Sequence, residues 1–386
     1  MNALSARISR LPRPCDLERG ERAVPSGVTG AVRTLLVGAA GSSPYLAELM
    51  AREGEWLGPA LDDPEGALDA ALRDLPDGPP DRLGPALRQA KRRVALLAGI
   101  MDLAGAWSLQ MVTGALSRLA DLAVDRSIRA LVAEAIAKGR LPGLGPEDAG
   151  TAGGMVALAM GKMGAGELNY SSDIDLICLF DETRVSREDF PAVRAGFVKV
   201  TRAMTAMLQD RTDGYVFRVD LRLRPDAAVT PVCMAMAGAE AYYESLGRTW
   251  ERAAYIKARP CGGDIAAGEG FLDTLRPFVW RRHLDFAAIQ DAHDMRLRIR
   301  DHKGLGGAAE PRWARPEARP WRHPGDRVLR PDAPAHRRGD ATPRCGCAAR
   351  WRGWIGSSPP AGSRPMPPPR SPPITAACAR SSTGSR

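Results

Sequence analysis

Hydrophobic positions follow a helical period over most of this chain and a strand period in one central stretch. From residue 30 to residue 145, apolar side chains recur at i, i+3, i+4 and i+7, which predicts amphipathic helices interrupted by a proline- and glycine-rich connection over 62–85. Two apolar runs of strand length follow at 155–160 and 174–180, separated by a glycine-rich turn. Amphipathic spacing over 187–209 then predicts another helix.

Alternation with a period of two marks a second pair of strands. In the segment YVFRVDLRLRP, apolar and polar residues alternate from Val219 on, which is typical of a strand with one polar face. The next segment, PDAAVTPVCMAM, predicts the strand that returns beside it, and helical spacing resumes over 237–260 and 266–303. This order predicts an α+β fold, in which a mixed β-sheet unit is flanked by long helical regions.

Changes in pattern and composition divide the chain into five segments. Residues 1–29 are rich in Pro, Gly and Arg, and we expect them to be poorly ordered. The other predicted segments are a helical region over 30–145, a catalytic core over 151–262, the start of a helical domain over 263–310 and a disordered tail over 311–386.

The net charge of +9 comes from the C-terminal tail. Residues 311–386 hold 15 arginines and four acidic residues, whereas the rest of the chain is close to neutral. The body of the protein therefore gives no reason to expect a nucleic-acid partner.

Neither a membrane segment nor a secretory signal is predicted. No run approaches the roughly 18 apolar residues of a membrane helix, and the N-terminus lacks the apolar core of a signal peptide. The seven cysteines are scattered without a CxxC pair, so neither a disulfide framework nor a zinc site is indicated. A cytoplasmic location fits these features best.

Two aspartates open the second apolar run. Asp173 and Asp175 are two residues apart, so in a strand their side chains point to one face, with Cα atoms roughly 6.5–7 Å apart. Such carboxylates suit Mg²⁺, which binds a few carboxylates together with phosphate oxygens of a substrate. Asp220 is the only acid in the alternating strand and the best candidate for a third ligand. Together the three predict a metal site for in-line displacement at phosphorus.

Glycines and arginines surround these acids. The turn before Asp173 holds Gly161, Gly164 and Gly166, which allow the backbone to approach a phosphate closely. Arginines on the polar face of the alternating strand suit phosphate charge. Each feature alone has a plainer explanation, because a lone DxD is usually a solvated strand end and an Arg/Asp alternation is often a salt-bridged surface. Their combination favours phosphate-transfer chemistry.

The segment GKMGAGELNYSSDIDLI, over 161–177, closely resembles the signature of the glutamine synthetase adenylyltransferase family, a member of the nucleotidyltransferase superfamily. The blocks FRVDLRLRP, AYYESLGRTWERAAYIKARP and RLRIRDHKG agree with that family in order and spacing. The resemblance covers about residues 30–310. It departs from the wider superfamily at Ala165, where Gly or Ser is usual.

The resemblance implies a role for each motif residue. Asp173 and Asp175 would bind Mg²⁺, and Asp220 would complete the catalytic metal site. The residues implied to contact the nucleotide or its phosphates are Gly161, Gly164, Ser172, Arg222, Arg224, Lys257 and Arg259.

The resemblance also implies a reaction and its partners. The family's full-length protein has two such catalytic units, and one motif preceded by a long helical region resembles the N-terminal unit. That unit removes AMP from a tyrosine of adenylylated glutamine synthetase, with phosphate attacking the α-phosphorus and ADP leaving. AMP transfer from ATP to glutamine synthetase stays open, because it uses the same carboxylates. A response to the PII nitrogen-signalling protein is implied as well.

The composition changes abruptly after residue 310. Residues 311–386 hold 15 of the 32 prolines and show no hydrophobic period. Recoding 313–339 with a reading frame shifted by one base gives the sequence expected of the family at that point. We therefore expect a base lost or gained near codon 310 and a truncated product. A catalytically inactive regulatory fragment that binds glutamine synthetase is the corresponding alternative.

Overall fold

Helices account for most of the residues that the computed structural model describes, which are 4–280 together with Gln290, His293, Asp294, Leu297 and Arg298. Seven helices precede the first strand and confirm the helical part of the predicted α+β fold. They are α1 (Leu17–Ala23), α2 (Gly30–Ser42), α3 (Pro44–Arg52), α4 (Gly54–Ala60), α5 (Pro64–Arg73), α6 (Pro80–Ala104) and α7 (Leu109–Ala137). The predictions for 311–386 and for most of 281–310 lie outside the described residues.

Five strands and five further helices follow in the described part of the chain. The strands are β1 (Met155–Ala159), β2 (Ile174–Phe180), β3 (Val219–Asp220), β4 (Cys233–Ala235) and β5 (Arg259–Gly263). The helices are α8 (Gly161–Gly164), α9 (Phe190–Gln209), α10 (Met236–Ser245), α11 (Thr249–Tyr255) and α12 (Ile265–Val279). None of the described helices is both long and apolar enough to cross a membrane.

Capping residues explain one helix that the sequence pattern missed. Helix α5 lies inside the connection expected over 62–85. The carboxylate of Asp63 accepts a hydrogen bond from the backbone N–H of Gly66, and Pro64 occupies the first turn. These two start signals outweigh the prolines and glycines on either side.

The N-terminal segment expected to be poorly ordered is packed against the helices. Leu4 is fully buried, and α1 lies within 1–29. The backbone N–H groups of Ser9 and Arg10 both donate to the carbonyl oxygen of Ala104, at 2.9 and 3.0 Å. The segment therefore supplies donors to the C-terminal end of α6, whose carbonyls lack partners within the helix.

The sheet is mixed and open, in the order β3-β2-β1-β5. Strand β1 pairs antiparallel with both β2 and β5. Strands β3 and β4 both run parallel to β2, with β3 at its N-terminal end and β4 at its C-terminal end. This arrangement confirms the predicted mixed sheet.

Both faces of the sheet are covered, which is why β1 is a continuous apolar run. One face joins the larger core beneath α6, α7 and α9. The other face packs against α10, α11 and α12 through a smaller cluster. The fully buried aromatic residue Tyr243 lies in that second cluster, with its ring 5.0 Å from the ring of Tyr255.

Predicted elements differ from the observed ones at three places in and around the sheet. The strand predicted over PDAAVTPVCMAM does not return beside β3, because β4 pairs in parallel with the C-terminal end of β2. The strand expected from Val219 through YVFRVDLRLRP ends at Asp220, because its carboxylate accepts a hydrogen bond from the backbone N–H of Arg222 at 2.8 Å and turns the chain. The helix expected over 237–260 is two helices separated at Gly247, and it gives way to β5 at its end. A side chain at Gly247 would overlap Phe278 and the backbone of Tyr243.

Candidate active site

Three aspartates converge where β2 and β3 begin to pair. Asp175 and Asp220 are direct partners in the parallel register, so their side chains share one face of the sheet. Asp173 lies two residues before Asp175 and just outside the strand. Asp173 is exposed, whereas Asp175 is half-buried. The structure thus places the three predicted acids together.

The cluster carries an unbalanced negative charge at Asp175. Burial raises the pKa of Asp175 to about 6, and the charges of Asp173 and Asp220 add to the increase. Arg222 and Lys162 act in the opposite direction. A carboxylate in this state gains from a bound cation, which would relieve the repulsion.

The negative charge of Asp220 is neutralised by Arg222, two residues later in the chain. The Nε of Arg222 donates to both carboxylate oxygens of Asp220, at 3.0 and 2.9 Å, and Nη2 donates as well. These bonds lower the pKa of Asp220. The side chain of Arg222 is 83% exposed while that of Asp220 is only 14% exposed, so the guanidinium covers the carboxylate from the solvent side.

Gly161 gives the glycine turn room beside the acids. Its φ is +55°, and a Cβ atom there would lie 2.9 Å from Oδ2 of Asp175. The backbone N–H of Met160 also donates to the carbonyl oxygen of Asp175 at 2.9 Å. The turn between β1 and α8 is therefore fitted directly against Asp175.

Gly164 and Arg259 have structural contacts in this fold. The backbone N–H of Gly164 donates to Met160, and an added Cβ would overlap the backbone carbonyl oxygen of Lys257. The guanidinium of Arg259 donates to the carbonyl oxygens of Gly164 and Met163, at 3.2 and 3.0 Å, and to Asp121. These bonds hold α8 against β5 and α7.

The remaining predicted phosphate contacts are also bonded within the protein. Arg224 donates to three carbonyl oxygens of its own turn, those of residues 221, 227 and 230. Lys257 Nζ pairs with Glu167 at 3.0 Å, and both side chains are half-exposed or more. Ser172 donates its hydroxyl proton to Asn169. Of the predicted phosphate-binding set, Arg222 bonds to Asp220 and Gly161 lies beside Asp175.

Sequence reasoning gave no functional role to two residues at the site. The first is Lys162 in the glycine turn, whose charge lowers the pKa of Asp175. The second is Tyr170, which connects the segment before Asp173 to α6. The one available signal for both was their place inside the long motif at 161–177.

The donor set suits the predicted Mg²⁺ in kind, because every candidate ligand is a carboxylate oxygen. Within the described residues, however, no three His, Cys, Asp or Glu side chains form a preassembled metal group. The bonds between Asp220 and Arg222 supply a physical reason, since the third carboxylate already has a cationic partner. Magnesium binding by Asp173, Asp175 and Asp220 therefore stays a prediction.

An open mixed sheet that places an acidic cluster at the start of two parallel strands, enclosed by helices, defines an α+β protein with a carboxylate site. Residues 34–274 match the family model for glutamate-ammonia ligase adenylyltransferase, which is more than half of the chain. The chain belongs to this family.

Curated relatives with high identity agree with the family model. A bifunctional glutamine synthetase adenylyltransferase/adenylyl-removing enzyme of Bradyrhizobium sp. (strain ORS 278) is 46% identical over 72% of this chain and 29% of its own length. Proteins of the same name match at 41% in Rhodopseudomonas palustris (strain BisB5), over 78% of this chain, and at 43% in Xanthobacter autotrophicus (strain ATCC BAA-1158 / Py2), over 75%. The chain spans 33% and 30% of those two relatives.

Proposed function

We propose that this chain removes AMP from adenylylated glutamine synthetase by phosphorolysis and releases ADP. The observation that carries the proposal is the direct pairing of Asp175 with Asp220 beside Asp173 and the turn at Gly161. The name of the relatives, which includes an adenylyl-removing activity, supports this choice of reaction. The proposed compartment is the cytoplasm, which the free cysteines of the described residues favour.

The proposed step is a displacement at the α-phosphorus of a tyrosyl-AMP ester. An oxygen of inorganic phosphate forms the new bond to phosphorus, the bond to the tyrosine oxygen breaks, and that oxygen leaves with a proton from solvent. When bound, Mg²⁺ supplies charge neutralisation for the attacking and leaving oxygens. Asp173 and Asp175 are the residues that would hold it, with Asp220 as the third ligand.

Two basic residues of the site suit the incoming phosphate. The side chain of Arg222 is 83% exposed while that of Asp220 is 14% exposed, so Arg222 can meet an anion from solvent while it stays bonded to Asp220. Lys162 lies in the glycine turn close enough to Asp175 to lower its pKa. Their charges would offset the repulsion between phosphate and the three acids.

The test uses the full chain with adenylylated glutamine synthetase, inorganic phosphate and MgCl₂, and it measures ADP. We expect ADP from the natural sequence and none from Asp173→Asn or Asp175→Asn. Asp181→Asn is the matched control, because Asp181 ends β2 away from the cluster and caps the backbone of Thr183. Unchanged turnover in either site variant would end the metal-site assignment.

The same experiment separates the alternatives. Incorporation of label from ATP into unmodified glutamine synthetase, without ADP release from the adenylylated form, would favour AMP transfer. Binding of glutamine synthetase with neither reaction would favour a regulatory fragment. Adding PII protein to each assay tests the proposed regulatory partner.

A further inference from the structure

The segment that carries the first acid is attached to other elements at several points. We define it as the acid loop, residues 167–173. Its first residue, Glu167, pairs with Lys257 next to β5. The backbone N–H of the buried Leu168 donates to the hydroxyl of Ser117 in α7 at 3.1 Å. The beginning of the loop is therefore fixed to the sheet and to one long helix.

Tyr170 makes the attachment to the second long helix. Its hydroxyl lies 3.2 Å from the carbonyl oxygen of Ala98 and 3.2 Å from Oδ2 of Asp102, both in α6. The residue is 44% exposed, so its ring contributes less to core packing than a buried tyrosine would. The carboxylate of Asp102 also lies 3.6 Å from the guanidinium of Arg10. The hydroxyl thus reaches one backbone and one side-chain acceptor on the same helix.

The next residue has a backbone conformation that needs support. Ser171 has φ +56°, in the left-handed region that side chains other than glycine rarely adopt. Nη2 of Arg218 donates to its carbonyl oxygen at 2.6 Å, and its hydroxyl lies 3.3 Å from that of Tyr215. The bonds of Tyr170 on one side and Arg218 on the other hold this conformation in place.

Asp173 depends on the loop for its position. Within the described residues its carboxylate makes no hydrogen bond and no ion pair, so its backbone decides where it lies. The next residue, Ile174, is fixed, because its N–H donates to the carbonyl oxygen of Arg218 at 2.9 Å and it pairs with Val219. On the N-terminal side, the nearest attachment to a helix is the hydroxyl of Tyr170.

We infer that Tyr170 is a positioning residue that holds Asp173 beside Asp175 by tying the acid loop to helix α6. The inference deepens the proposed function and rests on it for the role of Asp173. Helix α6 ends more than 50 residues before the first strand of the sheet. Through Tyr170 it would nevertheless fix the position of Asp173, one of the candidate metal ligands. The motif tyrosine that the catalytic assignment left unexplained acquires a role.

The test compares Tyr170→Phe with the natural sequence in three measurements. They are the affinity for Mn²⁺ by electron paramagnetic resonance, amide hydrogen exchange of residues 168–174, and kcat and KM for adenylylated glutamine synthetase. We expect Mn²⁺ affinity to fall about tenfold, as it does when a residue that orients a metal ligand is removed. Exchange in the acid loop should become about tenfold faster, and kcat should fall while KM stays unchanged.

Two further variants define the mechanism. Asp102→Asn keeps an acceptor oxygen for Tyr170 and should retain most of the Mn²⁺ affinity. Tyr242→Phe is the matched control, since it removes a hydroxyl bonded to the carboxylate of Glu251 outside the acid loop, and it should leave Mn²⁺ affinity and loop exchange unchanged.

Three outcomes would overturn the inference. Equal exchange and equal Mn²⁺ affinity in Tyr170→Phe and the natural sequence would show that the hydroxyl does not anchor the loop. Faster exchange without a change in Mn²⁺ affinity would make the bond structural only, and an equal loss in Tyr242→Phe would make the effect nonspecific. If the natural sequence binds Mn²⁺ but makes no ADP, the proposed function fails while metal affinity and exchange still decide the role of Tyr170.

Discussion

Asp175 and Asp220 lie opposite each other in the register of β2 and β3, yet the fold shifts their pKa values in opposite directions. Arg222 lowers the pKa of Asp220 through three hydrogen bonds from its side chain. Burial and two neighbouring charges raise the pKa of Asp175 to about 6. The pair therefore divides into a neutralised carboxylate and one with surplus charge, a division that is common in functional sites.

The surplus charge of Asp175 has a cost in stability. We predict that Asp175→Asn raises the free energy of unfolding at pH 7.5 by about 1 kcal/mol, a value discounted because the side chain is only half-buried. A raised pKa means that the ionised carboxylate destabilises the folded state. The penalty is absent below the unfolded pKa of 3.8, grows as pH rises and is complete above about 6. Urea unfolding at pH 4 and pH 7.5 measures it.

The control for that experiment is Asp181→Asn. Asp181 accepts a hydrogen bond from the backbone of Thr183 and lies 3.5 Å from Arg184, so removing its charge should lower stability at pH 7.5. A loss of stability in Asp175→Asn at pH 7.5, or a gain of equal size at both pH values, would contradict the predicted repulsion.

The pH dependence of turnover follows from the same group. A metal ligand must be ionised, so phosphorolysis should decline as pH falls through about 6. Arg222 lowers the pKa values of both Asp175 and Asp220, and Arg222→Met should therefore move this decline upward by about half a unit to one unit. It should also raise the KM for phosphate. Initial rates from pH 5 to pH 8 test both effects.

Arg211→Met serves as the control for the loss of one exposed charge outside the cluster. An unchanged pH profile in Arg222→Met would mean that the bonds of Arg222 to Asp220 do not determine the pH at which turnover declines. An equal shift of the profile in both variants would mean the same.

The glycine turn offers a matched pair of substitutions. Gly161 and Gly166 both have positive φ, +55° and +70°, so alanine at either position should cost about 1–2 kcal/mol from the backbone alone. Only at Gly161 would the new Cβ meet the carboxylate of Asp175; at Gly166 nothing lies within 4 Å. We predict similar losses of stability but at least a tenfold greater loss of Mn²⁺ affinity for Gly161→Ala. Equal Mn²⁺ affinities of the two variants would contradict the close fit of Gly161 against Asp175.

Gly164 tests whether the second motif glycine serves packing. Gly164→Ala should destabilise the fold by at least about 2 kcal/mol, because the new Cβ would overlap two backbone carbonyl oxygens, those of Lys257 and Ala159. Gly114→Ala in α7 is the control and should stabilise by about 0.5–1 kcal/mol, since its surroundings are open. Thermal unfolding of the two variants measures the difference. If Gly164→Ala has normal stability and a raised KM for phosphate, Gly164 contacts phosphate, as the motif implies.

The sequence pattern predicts elements whose burial is uniform along their length. Strands β1 and β2 are apolar on both faces, and their short apolar runs locate them within one residue. The DxD at the start of β2 and the single acid of β3 then identify the acidic cluster. In these places the period of the apolar residues and the local chemistry agree.

Elements that depend on distant partners are not visible in the pattern. Strand β5 has the sequence RPCGG, whose proline and two glycines disfavour a strand. It forms one by pairing with β1. Strand β3 is cut short by the bond of Asp220 to Arg222, although the alternation continues. The hydroxyl of Tyr170 finds its acceptor 72 residues earlier in the chain. Such long-range contacts are decided by the packing of helices on the sheet and not by local sequence.

The ordered N-terminal segment leads to a last prediction, on acid stability. Arg7 donates two hydrogen bonds to Glu65 at 3.0 and 2.6 Å, and Nε1 of Trp107 donates a third at 2.7 Å. Arg7 is the main cause that lowers the pKa of Glu65 to about 2. A lowered pKa contributes stability that is present above the unfolded pKa of 4.5 and is lost as pH falls through about 2.

Glu65→Gln should therefore lower the free energy of unfolding by about 1 kcal/mol at pH 7, a modest value because the side chain of Glu65 is 43% exposed. The difference should shrink between pH 4.5 and pH 2, as the natural side chain becomes protonated. Glu18→Gln is the control, because the side chain of Glu18 is 89% exposed and comes no closer to Arg22 than 4.0 Å. This substitution should leave the free energy of unfolding unchanged. If Glu65→Gln is as stable as the natural sequence at pH 7, the contact of Arg7 with Glu65 does not hold the N-terminal segment against the helices.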